Sequence, residues 1–255
     1  MSLPLFYASA GAIDLDSCTV TLEGGEAGHL SRSLRAREGD EVLVGDGSGG
    51  RYRVKLGSVR RDLVEGFIES AETIEPEVPR LVLYQALARP TKMDEAVQRA
   101  AESGIYSLVP FVSPRSPEGS ERLASSRITR WRKIALEASK VARRAWPLII
   151  GDPLVWPLGS SRLKEQELSI LLWESEAGTG LAKVLPAGLP RSIGIIVGPE
   201  GGFAEEEAAL LSSAGASPTG MGDLILRTES AGSCAAMLIR FHYRLLEPGG
   251  PSRAE

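Results

Sequence analysis

The chain has 255 residues, of which 43% are hydrophobic and 24% charged, with a formal net charge of −4. A chain this long buries enough surface to fold without a disulfide or metal staple. Its two cysteines, Cys18 and Cys234, and its two histidines, His29 and His242, show no metal-binding spacing. The N-terminal residues carry no signal-peptide pattern and no run reaches the ~20 apolar residues of a membrane span. A cytoplasmic protein with reduced cysteines, no membrane association and no metal is expected.

The acidic total conceals two basic islands. Residues 31–61 carry eight Arg or Lys against four Asp or Glu, and residues 122–144 carry eight against one, from Arg122 to Arg144. Between them, residues 62–121 hold five basic and eleven acidic side chains. Such islands can hold a polyanion locally while the net charge repels nonspecific binding; a solvated helix face would look the same for either island alone.

Residues 1–72 read as a small β-barrel. Thr19–Leu22, Glu41–Val44, Tyr52–Leu56 and Leu63–Ile68 are predicted strands, with one helix over His29–Ala36 ending before Gly39. The spacing Gly45-x-Gly47-x-x-Gly50 matches a dinucleotide fingerprint on paper, but a strand follows it where a helix is required, so a hairpin turn is predicted. Residues 73–79, acidic with two prolines, form a linker. From 80 to 247 the pattern becomes strand–helix alternation. Leu81–Tyr84, Ile105–Phe111, Leu148–Ile150, Leu168–Trp173 and Ile193–Val197 are apolar runs suited to a parallel sheet covered on both faces. Helices are predicted from Thr91, as cap, to Gly104, from Arg127 to about Ala145, from Phe203 to Ala214, and from Ser230, as cap, to about Leu246. The last helix has an apolar face of Ala231, Cys234, Leu238, Phe241 and Leu245, so Cys234 reads as core and His242 as structural. A short strand is expected within Met221–Leu226, and the tail 248–255 is expected to be disordered.

Gly198-Pro199-Glu200-Gly201-Gly202 follows a buried strand and opens a helix, at the strand end where α/β sheets bind ligands. Its glycines allow close backbone approach. No lysine follows to grip phosphate, and Glu200 would repel a pyrophosphate, so the loop suits a cofactor without phosphate, such as the cationic S-adenosylmethionine. A tight strand-to-helix turn would need the same glycines, and both readings stay open here. Arg227 and Glu229, before the last helix, can pair with each other or face a cleft.

Gly198-Pro199-Glu200-Gly201-Gly202-Phe203 followed by Leu226-Arg227-Thr228-Glu229-Ser230-Ala231 resembles the RsmE family, whose members methylate uridine at ring nitrogen three of 16S small-subunit ribosomal RNA within the SPOUT superfamily. His29, Leu34-Arg35, Gly39-Asp40, Asp46-Gly47, Lys92-Met93, Glu102, Gly104, Arg115, Arg143 and Pro147 match in order, so the likeness spans residues 1 to about 246. The resemblance implies a PUA-like barrel, a trefoil-knotted methyltransferase domain, S-adenosylmethionine as cofactor, and a homodimer with the last helix in its interface. It implies the RNA of the assembled small subunit as substrate. The implied cofactor residues are Trp173, Glu174, Val197, Gly198, Pro199, Glu200, Gly201, Gly202, Met221, Gly222, Leu224, Ile225 and Leu226. Arg143 and Arg227 are candidates to stabilise charge on the base, and Glu200 and Glu229 to accept its proton. His29, Arg32, Arg35, Arg37, Arg51, Arg53, Lys92, Arg115 and Arg143 are candidates for RNA contact. Ser139-Lys140 replaces a common Glu-Gln pair, and Leu224 replaces a common Arg. The lost Glu-Gln pair motivates one alternative, an RNA-binding assembly protein; a second is a SPOUT methyltransferase acting on transfer RNA.

Overall fold

The computed structural model describes residues 3–117, 124–158 and 160–247, so Arg122 and the tail 248–255 lie outside the described residues. The chain forms two compact units, Met1–Pro76 together with Ser139–Pro147, and Glu77–Ala138 together with Leu148–Glu255. No helix among the described residues is long and apolar enough to cross a membrane.

The first unit contains β1 (Leu5–Tyr7), β2 (Ile13–Asp14), β3 (Thr19–Glu23), α1 (Gly24–Gly28), β4 (Glu41–Gly45), β5 (Gly50–Val59) and β6 (Leu63–Thr73). They make one six-stranded sheet of order β1-β4-β5-β6-β3-β2, antiparallel except for the β1–β4 pair. Alternation along β5 points Tyr52, Val54 and Leu56 into a core shared with Phe6, Val20, Leu22, Leu30 and Val44, and turns Arg51, Arg53 and Lys55 away from it. The turn after β4 is the expected hairpin: Asp46 Oδ1 accepts the backbone N–H groups of Ser48 (2.7 Å) and Gly50 (3.0 Å). The helix expected over 29–36 starts five residues earlier. α1 runs into a π-helical turn at His29–Ser33, because Ala27 and Leu30, both fully buried, are the residues that anchor this stretch.

Residues 139–147 belong to this unit although the chain reaches them from a helix that starts in the other. Lys140 pairs with Glu26 of α1, the Tyr7 hydroxyl donates to the Arg144 carbonyl (2.5 Å), and the Trp146 indole N–H donates to the Ile74 carbonyl (2.7 Å). Ser139 and Lys140 are both buried. The departure from the Glu-Gln pair therefore falls at a packed position, where the lysine charge is met by Glu26.

The second unit is built from β7 (Arg80–Ala86), α2 (Pro90–Glu102), β8 (Ser107–Phe111), α3 (Ser125–Val141, whose last three residues lie in the first unit), β9 (Ile149–Ile150), α4 (Ser160–Leu163), β10 (Leu168–Leu172), α5 (Leu181–Val184), β11 (Ser192–Val197), α6 (Glu205–Ser213), β12 (Ser217–Thr219) and α7 (Thr228–His242). Its sheet is wholly parallel, in the order β12-β10-β11-β7-β8-β9. Both faces are covered. Leu81, Leu83, Ile193, Ile195 and Ile170 pack with α2, α3 and α7, while Tyr84, Ile196 and Leu171 pack with α6 and Phe203.

Several element ends differ from the sequence expectation. α2 begins at Pro90 rather than after a Thr91 cap, since proline at the first helical position loses no hydrogen bond. α7 begins at Thr228, so Ser230 sits within the first turn, where its hydroxyl accepts a hydrogen bond from Arg99. No strand forms in 221–226; the sheet's edge strand is instead β12, whose Pro218 is tolerated only at an edge. The buried face of α7 is Ala231, Gly232, Ala235, Ala236 and Ile239. At Gly232 an added Cβ would stand 2.7 Å from Leu83, so the small-residue face is the one that can approach β7. Of the face expected to be core, Ala231 is buried and Leu245 packs against the core, but Leu238 is 47% and Phe241 72% exposed, and Cys234 is half-buried.

Candidate functional site

Register aligns the carboxyl ends of four strands. Thr219 pairs with Leu172, Leu172 with Val197, and Val197 with Gln85, forming one row across β12, β10, β11 and β7. Just beyond this row lies a cavity of about 410 Å³, the size class of a small-molecule site. Its walls come from the end of β10 (Leu172, Trp173, Glu174), the loop after β11 (Val197 to Glu200, with Gly202), the loop before α7 (Met221, Leu224 to Arg227), and Thr228, Glu229 and Ala231 of α7, with Lys92 from α2.

A buried hydrogen-bond chain holds these walls together. The Thr228 hydroxyl donates to the Gly198 carbonyl (2.5 Å) and accepts from the Gln85 amide (2.9 Å). Below the loop, Glu207 reaches back to accept the Ala204 N–H (2.7 Å), half of a capping box that fixes the start of α6. Gly202 has φ +64°, and a Cβ there would collide with the Glu174 carboxylate. Gly201 does not line the cavity, and its nearest neighbour to an added Cβ is Arg115 at 4.0 Å. The glycine whose geometry the loop demands is Gly202.

The expected cofactor residues thus surround one cavity, except Gly201 and Gly222. Leu172, Thr219, Thr228 and Ala231 line it as well. They were missed because buried apolar or small residues at strand ends and in the first turn of a helix carry no chemical signature of their own.

The charged candidates separate into distinct roles. Glu200 is exposed, and its Oε1 accepts the backbone N–H of Arg89 (2.9 Å), the residue that precedes α2. Glu229 is 4% exposed, and its Oε1 lies 2.9 Å from Lys92 Nζ. Burial works against its charge, but the hydrogen bonds from Lys92 and its own backbone, with the charges of Lys92 and Arg99, outweigh that and hold the carboxyl below its ordinary value. The Lys92 ammonium is held above its ordinary range by the hydrogen bonds it donates to Glu229 and then to Glu95. Arg227 lines the same cavity and is exposed. Arg143 is not among the cavity residues; it is an exposed residue of the first unit, at φ +53°.

The proposed RNA residues also divide. His29 and Arg32, Arg35 and Arg37 are exposed, on the π-turn and the loop after it. Ser31 Oγ donates to the Arg61 carbonyl (3.1 Å), which brings the Arg60–Arg61 turn beside that loop. Arg51 and Arg53 lie on the outer sheet face and are met by carboxylates, Glu72 at 2.6 Å and Glu41 at 3.5 Å. Arg115 donates to the Gly201 carbonyl (3.0 Å), and its Nε stands 3.7 Å from Glu207. On α3, Arg130 is paired with Asp94 (2.7 Å).

A family model described as an RNA methyltransferase domain matches residues 75–240, and one described as an RNA methyltransferase PUA domain matches residues 22–69. The chain is 30% identical to the ribosomal RNA small subunit methyltransferase E of Aquifex aeolicus, over 82% of this chain and 89% of that protein. It is 27% identical to the Bacillus subtilis protein of the same name, over 89% and 92%. Among solved structures, that of ribosomal RNA small subunit methyltransferase E from Neisseria gonorrhoeae bound to S-adenosyl methionine superposes with a TM-score of 0.81 at 25% identity, covering 94% of this chain and 98% of that one.

Glu229 supplies a test of the charge arrangement. Because its folded-state value is depressed, the stability it contributes is fully present above the ordinary value of 4.5 and is lost as pH falls through the folded-state value. Glu229→Gln should therefore melt lower than wild type at neutral pH, with the difference shrinking as pH is lowered from about 7 to about 3. Melting curves across that range check it; a constant difference would show that Glu229 carries no depressed value.

Proposed function

This chain belongs to the ribosomal RNA small subunit methyltransferase E family, and from that premise we propose that it methylates a uridine of 16S ribosomal RNA at ring nitrogen three, using S-adenosylmethionine. The observation that carries the reading is the cavity at the strand ends. Leu172, Val197, Pro199, Met221 and Leu226 give it an apolar lining for a nucleoside, and Glu174 and Glu200 give it negative charge, the buried Glu229 being met by Lys92. No lysine stands in the loop 198–202 to grip phosphate. That donor set fits a cationic, phosphate-free cofactor. The loop backbone, with Trp173, Glu174, Leu224 and Ile225, would hold it, while Gly202 leaves room beside Glu174. When bound, S-adenosylmethionine supplies an electrophilic methyl group on positively charged sulfur.

The protein's own part is to align the acceptor and bear its charge. The imide of uracil is a weak acid, so its ring nitrogen becomes nucleophilic only as its proton leaves, and negative charge then spreads onto the flanking carbonyl oxygens. Arg227, exposed at the cavity, donates to such an oxygen. A uridine within folded RNA is splayed out to reach it. The loop arginines Arg32, Arg35 and Arg37, joined by Arg60 and Arg61, grip phosphates of the assembled subunit. Arg51 and Arg53 contribute less, their charge being met within the sheet.

Mass mapping of ribosomal RNA from a strain lacking the gene, before and after adding the purified protein, tests the reading. The expected product is one N3-methyluridine in 16S RNA, formed more slowly by the Arg35→Ala/Arg37→Ala variant. Methyl groups in transfer RNA, or none anywhere, would reject it in favour of the corresponding alternative.

The same reading includes a homodimer through α7. Leu224, Ile225, Leu238 and Phe241 are 72%, 82%, 47% and 72% exposed, and an apolar groove lined by Met221, Leu226, Cys234 and Met237 runs between α2 and α7. A two-fold contact would bury the same patch on both copies. Light scattering should give twice the chain mass for wild type and one chain mass for Phe241→Asp; a monomeric wild type would refute the dimer.

A further inference from the structure

The cavity holds one cation whose surroundings differ from those of every other residue lining it. Lys92 reaches it from the first turn of α2, while the remaining walls are strand ends, loops and the start of α7. An ammonium carries three hydrogens. Glu229 Oε1 accepts from it at 2.9 Å, and Glu95 accepts through Oε1 at 3.2 Å and, at the longer distance of 3.4 Å, through Oε2. The ammonium lines the cavity, where a ligand oxygen can replace the longer Glu95 contact. Arg99 stands on the far side of Glu95, 3.2 Å from its Oε2, and also donates to Ser230, so Glu95 is shared and its pull on Lys92 is reduced. Of the two carboxylates first considered as proton acceptors, Glu229 is buried and already bound to Lys92, and Glu200 is exposed with one oxygen accepting the Arg89 N–H.

We propose that Lys92 is a catalytic residue which, together with Arg227, takes up the charge on the uracil carbonyl oxygens as the ring nitrogen loses its proton, and that Glu229 is a positioning residue for Lys92 rather than the base. The inference rests on the N3-methyluridine reading and deepens it. In the step, the N3–H bond breaks and its proton goes to water. The nitrogen pair then forms the N3–CH3 bond, and the pair of the broken S–CH3 bond stays on sulfur as a neutral thioether. The cavity thus acts by making the bound imide more acidic. Fixed donors aimed at developing charge are typically worth about a hundredfold or more in rate.

The test reads the acidity of a bound pyrimidine directly. Fluorine NMR of 5-fluorouridine monophosphate, titrated with pH in the presence of protein and S-adenosylhomocysteine, reports ionisation of its ring nitrogen. Wild type should raise that acidity at least tenfold over the free nucleotide. Lys92→Met leaves Glu229 buried without its partner and is prone to unfold, so Lys92→Met/Glu229→Gln removes both charges together. That double variant should lose the acidity gain and fall about a hundredfold in single-turnover rate. It should still bind S-adenosylmethionine within about threefold of wild type by calorimetry, and Lys92→Arg should restore much of the acidity gain. An acidity gain unchanged in the double variant, or absent in wild type, overturns the role of Lys92. Absence of N3-methyluridine from wild-type product instead overturns the underlying reading, so the two failures are distinguishable.

Discussion

The site depends on a single buried hydroxyl. Thr228 opens α7 and donates to the carbonyl of Gly198, the first residue after β11, while the Gln85 amide at the end of β7 donates to Thr228. Three elements distant in sequence are thereby held at one point. In a water-poor interior such a chain is strong when complete and costly when broken, because each polar group left alone loses its solvation without compensation. Both loops that wall the cavity hang from this point: 198–202 follows Gly198 directly, and 221–227 ends at Thr228.

The charges follow a similar division between structure and chemistry. In the first unit, Arg51 and Arg53 are neutralised across the outer face of the sheet, whereas Arg32, Arg35 and Arg37 stand on an exposed loop beside the Arg60–Arg61 turn. In the second, Lys92 and Glu229 keep each other ionised inside the cavity, and Arg227 is exposed at it. A stretch that reads as one basic island in sequence is therefore two surfaces in space.

Much of the fold was legible because burial on both faces leaves a plain mark. The runs Leu81–Tyr84 and Ile193–Val197 carry no polar residue and Leu168–Leu172 only Ser169, and they became central parallel strands. Short edge strands leave no such mark: Ser217-Pro218-Thr219 has neither apolar content nor length, while Leu224-Ile225-Leu226 looked like a strand and has no partner. α7 misled in another way. Its bulky residues suggested the core face, but close approach to β7 requires Gly232 and the alanines, and Leu238 and Phe241 turn outward while Ile239 stays in the core. The return of residues 139–147 to the first unit depends on Lys140, Arg144 and Trp146 meeting groups 70 or more positions away, which no local pattern encodes. Within the site, the glycine loop and the Arg227–Glu229 segment stood out in the sequence as candidates with a second reading open for each, and the structure places both at the cavity. The Lys92–Glu229 pair joins residues 137 positions apart and needed the fold.

The most direct measurement is calorimetric titration of S-adenosylmethionine into wild type, Thr228→Val and Thr228→Ser, with a melting curve for each. Valine keeps the shape and removes the hydroxyl, leaving the Gly198 carbonyl and the Gln85 amide short of a partner, at a cost of about 1–3 kcal/mol. The account predicts saturable binding by wild type, at least about tenfold weaker binding by the valine variant while it remains folded, and recovery with serine. Equal affinity in wild type and the folded valine variant, or no binding by wild type, would contradict it.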